Sequence, residues 1–473
     1  MSPSQKIQSN GLRLAGPALG MTLIGLMMAF NVQGQDLLSV YRQALQDSPQ
    51  LERAREGLEA VIESQSQAHA ALFLPEANFN ANVNRDYQNI QFGGAAAIGQ
   101  SGRSNFMFGG YSLSINQPIL HYDRWVALEQ ADSRIAQAEA DTSAAEIGLM
   151  LKVAERYFDV LAAKENQHFA EAHQQSLQRK LTETKQRQAV GFLALTDIQE
   201  AQSGYDRAVA DAVAAAHQLR DAREGLQEVT GVNHDQLDAL NAELPLIEPD
   251  PADEQRWIEQ ALTQNLGLLV QEKAVQVAKA EIQKQTAGHL PTLDATGSHL
   301  FNTSGGRFGT ADIEDDIIGL NMNLPLYQGG RTSSKTREAE HRYRQALATL
   351  NEQKRAVHRS TSKAYLGVVA GISRVKALQQ AVKSAETGLT ATQAGFNAGR
   401  RTTLDIIVAE RELLGAQRDY ARARYDYLLD SLRLKQAVGS LSPEDLRQVN
   451  QWLVPMTADA GQREAHPSQP VSQ

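Results

Sequence analysis

The chain contains no cysteine. Thiol catalysis, cysteine-based zinc sites and disulfides are therefore excluded, as is a lipid-bearing cysteine at a processed N-terminus. Aromatic side chains are scarce, at 6% of 473 residues, which favours helices packed through small side chains over a thick aromatic core. Basic residues are outnumbered, 46 Lys and Arg against 55 Asp and Glu, a net charge of −9. No nucleic-acid partner is suggested by that balance. Beyond residue 34 there is no run of about 18 apolar residues, so no membrane-spanning helix is expected there.

Motifs for chemistry are also lacking. His168 and His173 flank Glu171, but a zinc-protease helix needs histidines four apart to share a face, and these are five apart. Gly305, Gly306 and Gly309 lack the lysine and the strand-to-helix setting of a phosphate loop. Ser, His and Asp are scattered over solvated helical stretches with no implied pocket. The sequence predicts no enzyme, no cofactor and no metal.

What is present begins with a leader. Lys6 and Arg13 precede a mainly apolar run from Leu14 to Phe30, and Val32-Gln33-Gly34 places small residues where a signal peptidase cuts. Residues 1–34 are predicted to be a secretory signal. Removing its two positive charges takes the net charge from −9 to −11.

The remainder is duplicated. Val190-Gly191-Phe192-Leu193-Ala194-Leu195-Thr196-Asp197-Ile198 resembles Ala398-Gly399-Arg400-Arg401-Thr402-Thr403-Leu404-Asp405-Ile406 at an offset of 208 residues. At the same offset Tyr157, Tyr205, Ala208, Leu219 and Leu226 fall on Tyr365, Leu413, Ala416, Tyr427 and Leu434. One offset held over such a span marks an internal repeat. Within each copy apolar residues recur three, four or seven apart, the seam of helix packed on helix. Gly191 and Gly399 each separate two such runs, and glycine tolerates the left-handed conformation that stops a helix. Each copy should therefore hold a long α-hairpin. Roughly 70 residues separate Pro118 from Gly191, about 100 Å of helix. Such a length suits a rod or a tube wall.

Between helices, period two takes over. Ala77, Phe79, Ala81 and Val83 alternate with asparagines; Tyr111, Leu113 and Ile115 alternate with Ser112, Ser114 and Asn116; Ile318, Leu320, Met322 and Leu324 alternate with Gly319, Asn321 and Asn323. Leu293, Ala295 and Gly297 begin a weaker fourth strand. Pro75, Pro118, Pro291 and Pro325 bracket the two strand pairs and are expected at helix–strand junctions. Four strands cannot close a barrel, because the smallest useful ones have about eight. Three copies would supply twelve, apolar outside and polar within, as an outer-membrane barrel requires.

With these segments in this order the chain resembles the TolC family of outer-membrane efflux and type I secretion ducts. Val40-Tyr41-Arg42-Gln43-Ala44, Leu290-Pro291-Thr292-Leu293-Asp294 and Leu324-Pro325-Leu326-Tyr327-Gln328-Gly329-Gly330 carry the likeness together with the two hairpin turns. The resemblance implies a homotrimer in the outer membrane of a Gram-negative bacterium. It implies a mainly α chain whose coiled hairpins build a trimeric α-barrel, with four strands per chain contributing to a 12-stranded β-barrel. Repeats at 35–231 and 257–439 would be joined by an equatorial linker, 232–256. A C-terminal segment, 440–473, would end in a disordered tail beyond Met456.

Implied partners are outer-membrane lipid, a periplasmic adaptor (membrane fusion) protein, and an inner-membrane RND or MFS pump or an ABC exporter. The resemblance places a periplasmic gate at Thr196, Asp197, Phe396, Arg401 and Asp405. Asp405 would line the constriction, where three like charges raise one another's pKa and attract cations. Arg401 presents a fork suited to a carboxylate such as Asp197. Phe396 stands where the family has a tyrosine bonded to the aspartate matching Asp197, and Val408 where it has a second constriction aspartate. The expectation is a single acidic ring and a weaker closed-state latch. The rival reading is a periplasmic coiled coil that bridges membranes without conducting, which leaves the amphipathic strands unexplained.

Overall fold

The computed structural model describes residues 35–91, 93, 102–306 and 309–455. The expected leader and the expected disordered tail lie outside these residues. The described chain runs α1 (Leu37–Asp47), α2 (Pro49–Phe73), β1 (Glu76–Ile90), β2 (Gly102–Leu120), α3 (Tyr122–Ala189), α4 (Leu195–Thr230), β3 (Ala239–Leu240), α5 (Glu254–Gln264) and α6 (Leu266–Thr286). It continues through β4 (Thr292–Gly306), β5 (Gly309–Asn323), α7 (Arg331–Asn397), α8 (Thr403–Val438), α9 (Pro443–Asn450) and β6 (Leu453–Val454).

The long helices dominate. With 68 and 67 residues, α3 and α7 are each about 100 Å long. They end where the sequence reading places the turns. Gly191 and Gly399 have φ of +81° and +72°, and Phe192 N–H and Arg400 N–H bond back to the carbonyls of Arg187 and Gly395. This is the left-handed cap that satisfies last-turn carbonyls.

The other helices are shorter and stack end to end. The C-terminus of α8 abuts the N-terminus of α6: Asn265 caps α6 at Leu268 N–H, and its amide donates to the Ala437 carbonyl at 2.8 Å. Gly439, at φ +85°, leaves no room for a Cβ, which would lie 2.7 Å from the Gln264 carbonyl oxygen. At the other joint Gly231, at φ +76°, ends α4 against Asp47, just before α2 begins. Packing of α3 on α2, α4, α6 and α8, and of α7 on α6 and α8, then gives four helical columns. Their order is α4/α2, α3, α8/α6, α7.

Each column leads into one strand, and the sheet keeps the same order, β1-β2-β4-β5, antiparallel throughout. Of the predicted junction prolines, Pro75, Pro291 and Pro325 fall just outside strands, but Pro118 does not. It lies inside β2, which continues to Leu120 past a register shift at that point. A bulge accommodates a residue that cannot donate to the ladder.

A mixed cluster at mid-height ties the columns together. Here β3 pairs with β6, and Gln35 bridges to Leu237. The Tyr157 hydroxyl reaches the carbonyls of Asp238 and Gln35 at 2.9 and 3.1 Å. Tyr425 donates to Glu165 at 2.6 Å, and burial, with that carboxylate, pushes its pKa far up. The buried guanidinium of Arg424 donates to the Asn241 carbonyl. The largest apolar core surrounds this level, with Tyr157, Phe158, Leu149, Leu226, Leu428 and Leu446 almost fully buried. No helix of the described residues is long and apolar enough to cross a membrane.

Candidate functional site

Two regions distinguish this chain from a plain helical rod: the hairpin tips and the open sheet. At the tips, helix starts are built by carboxylates. Thr402 and Asp405 form a capping box: Asp405 Oδ2 accepts from Thr402 N–H at 2.8 Å, and Thr402 Oγ1 accepts from Asp405 N–H at 3.2 Å. Asp197 plays the same part for α4, accepting from Ala194 N–H at 2.9 Å. These bonds satisfy donors that a helix start leaves unpaired. Bonding to Thr402, and more weakly the charge of Arg401, holds the Asp405 carboxyl below the usual range.

Arg401 pairs with Asp405 of its own turn at 3.6 Å, and its stem lies over Gly395, where a Cβ would meet Arg401 Cγ at 2.8 Å. Within the chain it is thus directed to Asp405 and not to Asp197, because a residue four positions along the same chain is nearer than the other hairpin. Thr196 is exposed in the first turn of α4.

Phe396 has partners that its spacing did not reveal. It is buried, with Lys180 Nζ 4.2 Å and Arg187 Cζ 5.4 Å from its ring centroid. Both cations come from α3 and share Glu183, at 3.3 and 2.7 Å. The ring of α7 is therefore clasped by the first hairpin. One turn further from the tip, Glu410 of α8 accepts from Ser176 of α3 at 3.0 Å, and its second oxygen lies 3.8 Å from His173 Nδ1. Burial raises the pKa of Glu410 and lowers that of His173. The only sequence trace of this cluster is Lys180, Glu183 and Arg187 at positions i, i+3 and i+7 of one helix face. Their partners, 200 residues on, had no local signature.

The sheet has one apolar face. Through the register Ala77–Ile115–Gly297–Ile318, the odd positions of β1, β2 and β4 share a side with the even positions of β5. Phe79, Val83, Leu113, Ile115, Ile318, Leu320 and Met322 stand exposed there. Tyr111 stacks between Phe79 and Phe301, with centroids 6.1 and 5.5 Å away. The opposite face carries Asn78, Asn80, Ser112, Ser114, Thr296, Ser298, Asn321 and Asn323. Large apolar side chains left open on an edge-exposed sheet need cover from lipid or another chain. Among the described residues nothing covers them.

The outer membrane efflux protein family model matches twice, over residues 40–232 and 257–440, one match per copy of the internal repeat. The chain is 34% identical to outer membrane protein TolC of Vibrio cholerae, over 89% of this chain and 94% of that one. It is 26% identical to the proteases secretion protein PrtF of Dickeya chrysanthemi, over 92% and 95%. In fold it is similar to the Campylobacter jejuni CmeC outer membrane channel, with a TM-score of 0.72 at 14% identity, covering 93% of this chain and 98% of that one. These relatives are channel and export proteins. With long coiled helices leading into a half-apolar sheet, the chain belongs to the outer membrane efflux protein family and is an outer-membrane exit duct for efflux and type I secretion.

Proposed function

We propose that the duct is a homotrimer, gated at its periplasmic end. A periplasmic adaptor would couple it to an inner-membrane RND or MFS pump or to an ABC exporter. The observation that carries this reading is the shared order of columns and strands. Both run from an unpaired edge, α4/α2 with β1, to an unpaired edge, α7 with β5. One chain is an open wall, and rotating it about an axis meets edge with edge in both layers. An exposed strand edge in one copy is a template for another. Three copies give twelve strands and twelve helical columns around one lumen.

The gate reading rests on position. Thr196, Asp197, Phe396, Arg401 and Asp405 all lie at the hairpin ends, the place where tips converge in such an assembly. Asp405 supplies one carboxylate per copy, and Arg401 steadies it. Phe396, clasped by Lys180 and Arg187, holds the second hairpin to the first. The repeats at 35–231 and 257–439, with the segments 232–256 and 440–455, act as wall and belt.

Two measurements test the proposal together. Purified outer-membrane fractions should contain a heat-modifiable trimer, and that trimer should conduct in planar bilayers. A soluble, non-conducting periplasmic monomer would instead establish the bridging coiled coil.

A further inference from the structure

The open sheet edges carry more information than the number of copies. Resting on the trimer reading above, we infer the register in which β5 of one copy pairs with β1 of the next: Asp316 lies directly opposite Arg85 of the neighbouring copy. Among the described residues, neither faces an oppositely charged Asp, Glu, Lys or Arg across its own sheet: Arg85 is paired with Met107, and Asp316 with His299. Arg85 donates to Asn105 at 3.0 Å and lies over Tyr87. Asp316 accepts from His299 Nδ1 at 2.9 Å, and its side chain is 78% exposed.

The stagger of the apolar band fixes the register. On β1 the last apolar residue before charge is Val83, followed on that face by Arg85. On β5 it is Ile318, followed by Asp316, Glu314 and Asp312. Ile318 shares a row with Ala77 through Ile115 and Gly297, so the band drops six positions in three strand steps. A lipid band is level in the membrane, so this drop is the tilt of the strands. It corresponds to about two residues per step, and about eight over the four strands of one copy.

Parity and tilt narrow the choice. The offset accumulated over one copy must be even, because a slip of one residue turns the apolar face inward. With strands about 4.8 Å apart and a rise of about 3.3 Å per residue, offsets of four, six and eight give tilts of about 35°, 46° and 54°. Outer-membrane strands tilt by about 35–45°. Eight over-tilts the barrel, and four gives half the observed stagger. Six is the even offset that reconciles the two: its tilt, about 46°, lies at the upper end of that range, and it keeps about three quarters of the stagger.

At an offset of six, Ile318 faces Val83, Leu320 faces Ala81 and Met322 faces Phe79, so apolar side chains meet apolar ones. Asp316 then faces Arg85, and Glu314 faces Tyr87 with Arg85 on the diagonal. Among the described residues the one outward acidic row, Asp312, Glu314 and Asp316, thereby gains a cation at the upper rim of the lipid band. Opposite charges placed across a strand pair stabilise it, and like charges oppose it. The same register sets Asp315 opposite Asp86 on the polar face, where lumen water solvates both.

Because the chain has no native cysteine, the seam can be mapped by paired thiols in the full-length protein in outer-membrane vesicles. Val83→Cys with Ile318→Cys should oxidise to covalently linked trimers on non-reducing gels. Ala81→Cys with Ile318→Cys, or Arg85→Cys with Ile318→Cys, should link far less, and preferential linking of either overturns the register while leaving the trimer intact. Absence of any non-covalent trimer overturns the trimer reading itself. Charge exchange gives a second reading. Asp316→Arg should lower the temperature at which the trimer dissociates, and adding Arg85→Asp should restore most of it. No restoration, with Val83 and Ile318 still linking, would retain the register and overturn the ion pair.

Discussion

Replacing Phe396 by leucine should open the closed end. The ring is buried, and Lys180, only 15% exposed at its side chain, sits 4.2 Å from its centroid. A cation over a ring is worth about 0.5–1 kcal/mol when wet and about 2 when desolvated. Lys180 is near the desolvated limit and Arg187, at 5.4 Å and 41% exposed, near the wet one. Together they contribute about 2.5–3 kcal/mol per copy, so a concerted opening of three copies loses about 8 kcal/mol, or more than a hundred-thousandfold in the closed–open equilibrium. The assay is single-channel conductance in planar bilayers, with the fraction of time in high-conductance states as the readout. Phe396→Tyr keeps the ring and should stay closed. Lys180→Gln keeps most of the stem and removes the charge, so it should open the duct in the same direction and by a smaller factor. If Phe396→Leu opens it and Lys180→Gln does not, the ring acts by packing alone. If neither does, the clasp is not a latch.

Further expectations follow from the tips and the joints. Asp405→Asn should abolish cation selectivity and divalent-ion block in the same bilayers, whereas unchanged selectivity would remove Asp405 from the constriction. Because the folded pKa of Asp405 is depressed, its charge and its cap persist above the ordinary value of 3.8 and are lost as pH falls through the lower one. Selectivity should survive at pH 4.5, and a midpoint above 3.8 would mean that repulsion around the ring outweighs the cap. Gly439→Ala places a Cβ 2.7 Å from the Gln264 carbonyl at φ +85°, and should cost about 2 kcal/mol or more, seen as a lower unfolding temperature. An unchanged temperature would show that the α8–α6 joint yields freely. Tyr425→Phe removes the bond to half-buried Glu165 and should destabilise by about 1.5–3 kcal/mol, again read by thermal unfolding. No loss there would mean that water replaces the hydroxyl.

Much of the architecture was legible because it is periodic. The 208-residue repeat, the glycines at 191 and 399, and the alternation along 77–83 and 111–115 are local patterns, and local patterns suffice where helix or strand faces decide burial. Pro118 shows the limit: proline excludes a ladder donor, but a neighbouring bulge absorbed it, and the strand ran on to Leu120. Arg401 shows another. Its spacing to Asp405 was visible, yet the pairing with its own turn competes with any link to Asp197, and only geometry ranks the two.

The amino-acid sequence by itself determined the repeat, the hairpin lengths, the strand faces and the insufficiency of one chain. Each follows from periodicity, glycine φ freedom or the number of strands a closed barrel needs. Only the tertiary structure decided which charges meet. It put Lys180 and Arg187 over Phe396, set Glu410 against Ser176 and His173, joined α8 to α6 at Gly439, and staggered the apolar band from Val83 to Ile318. Such contacts join residues about 200 positions apart, and their distances depend on how whole helices and strands pack, which no local pattern encodes.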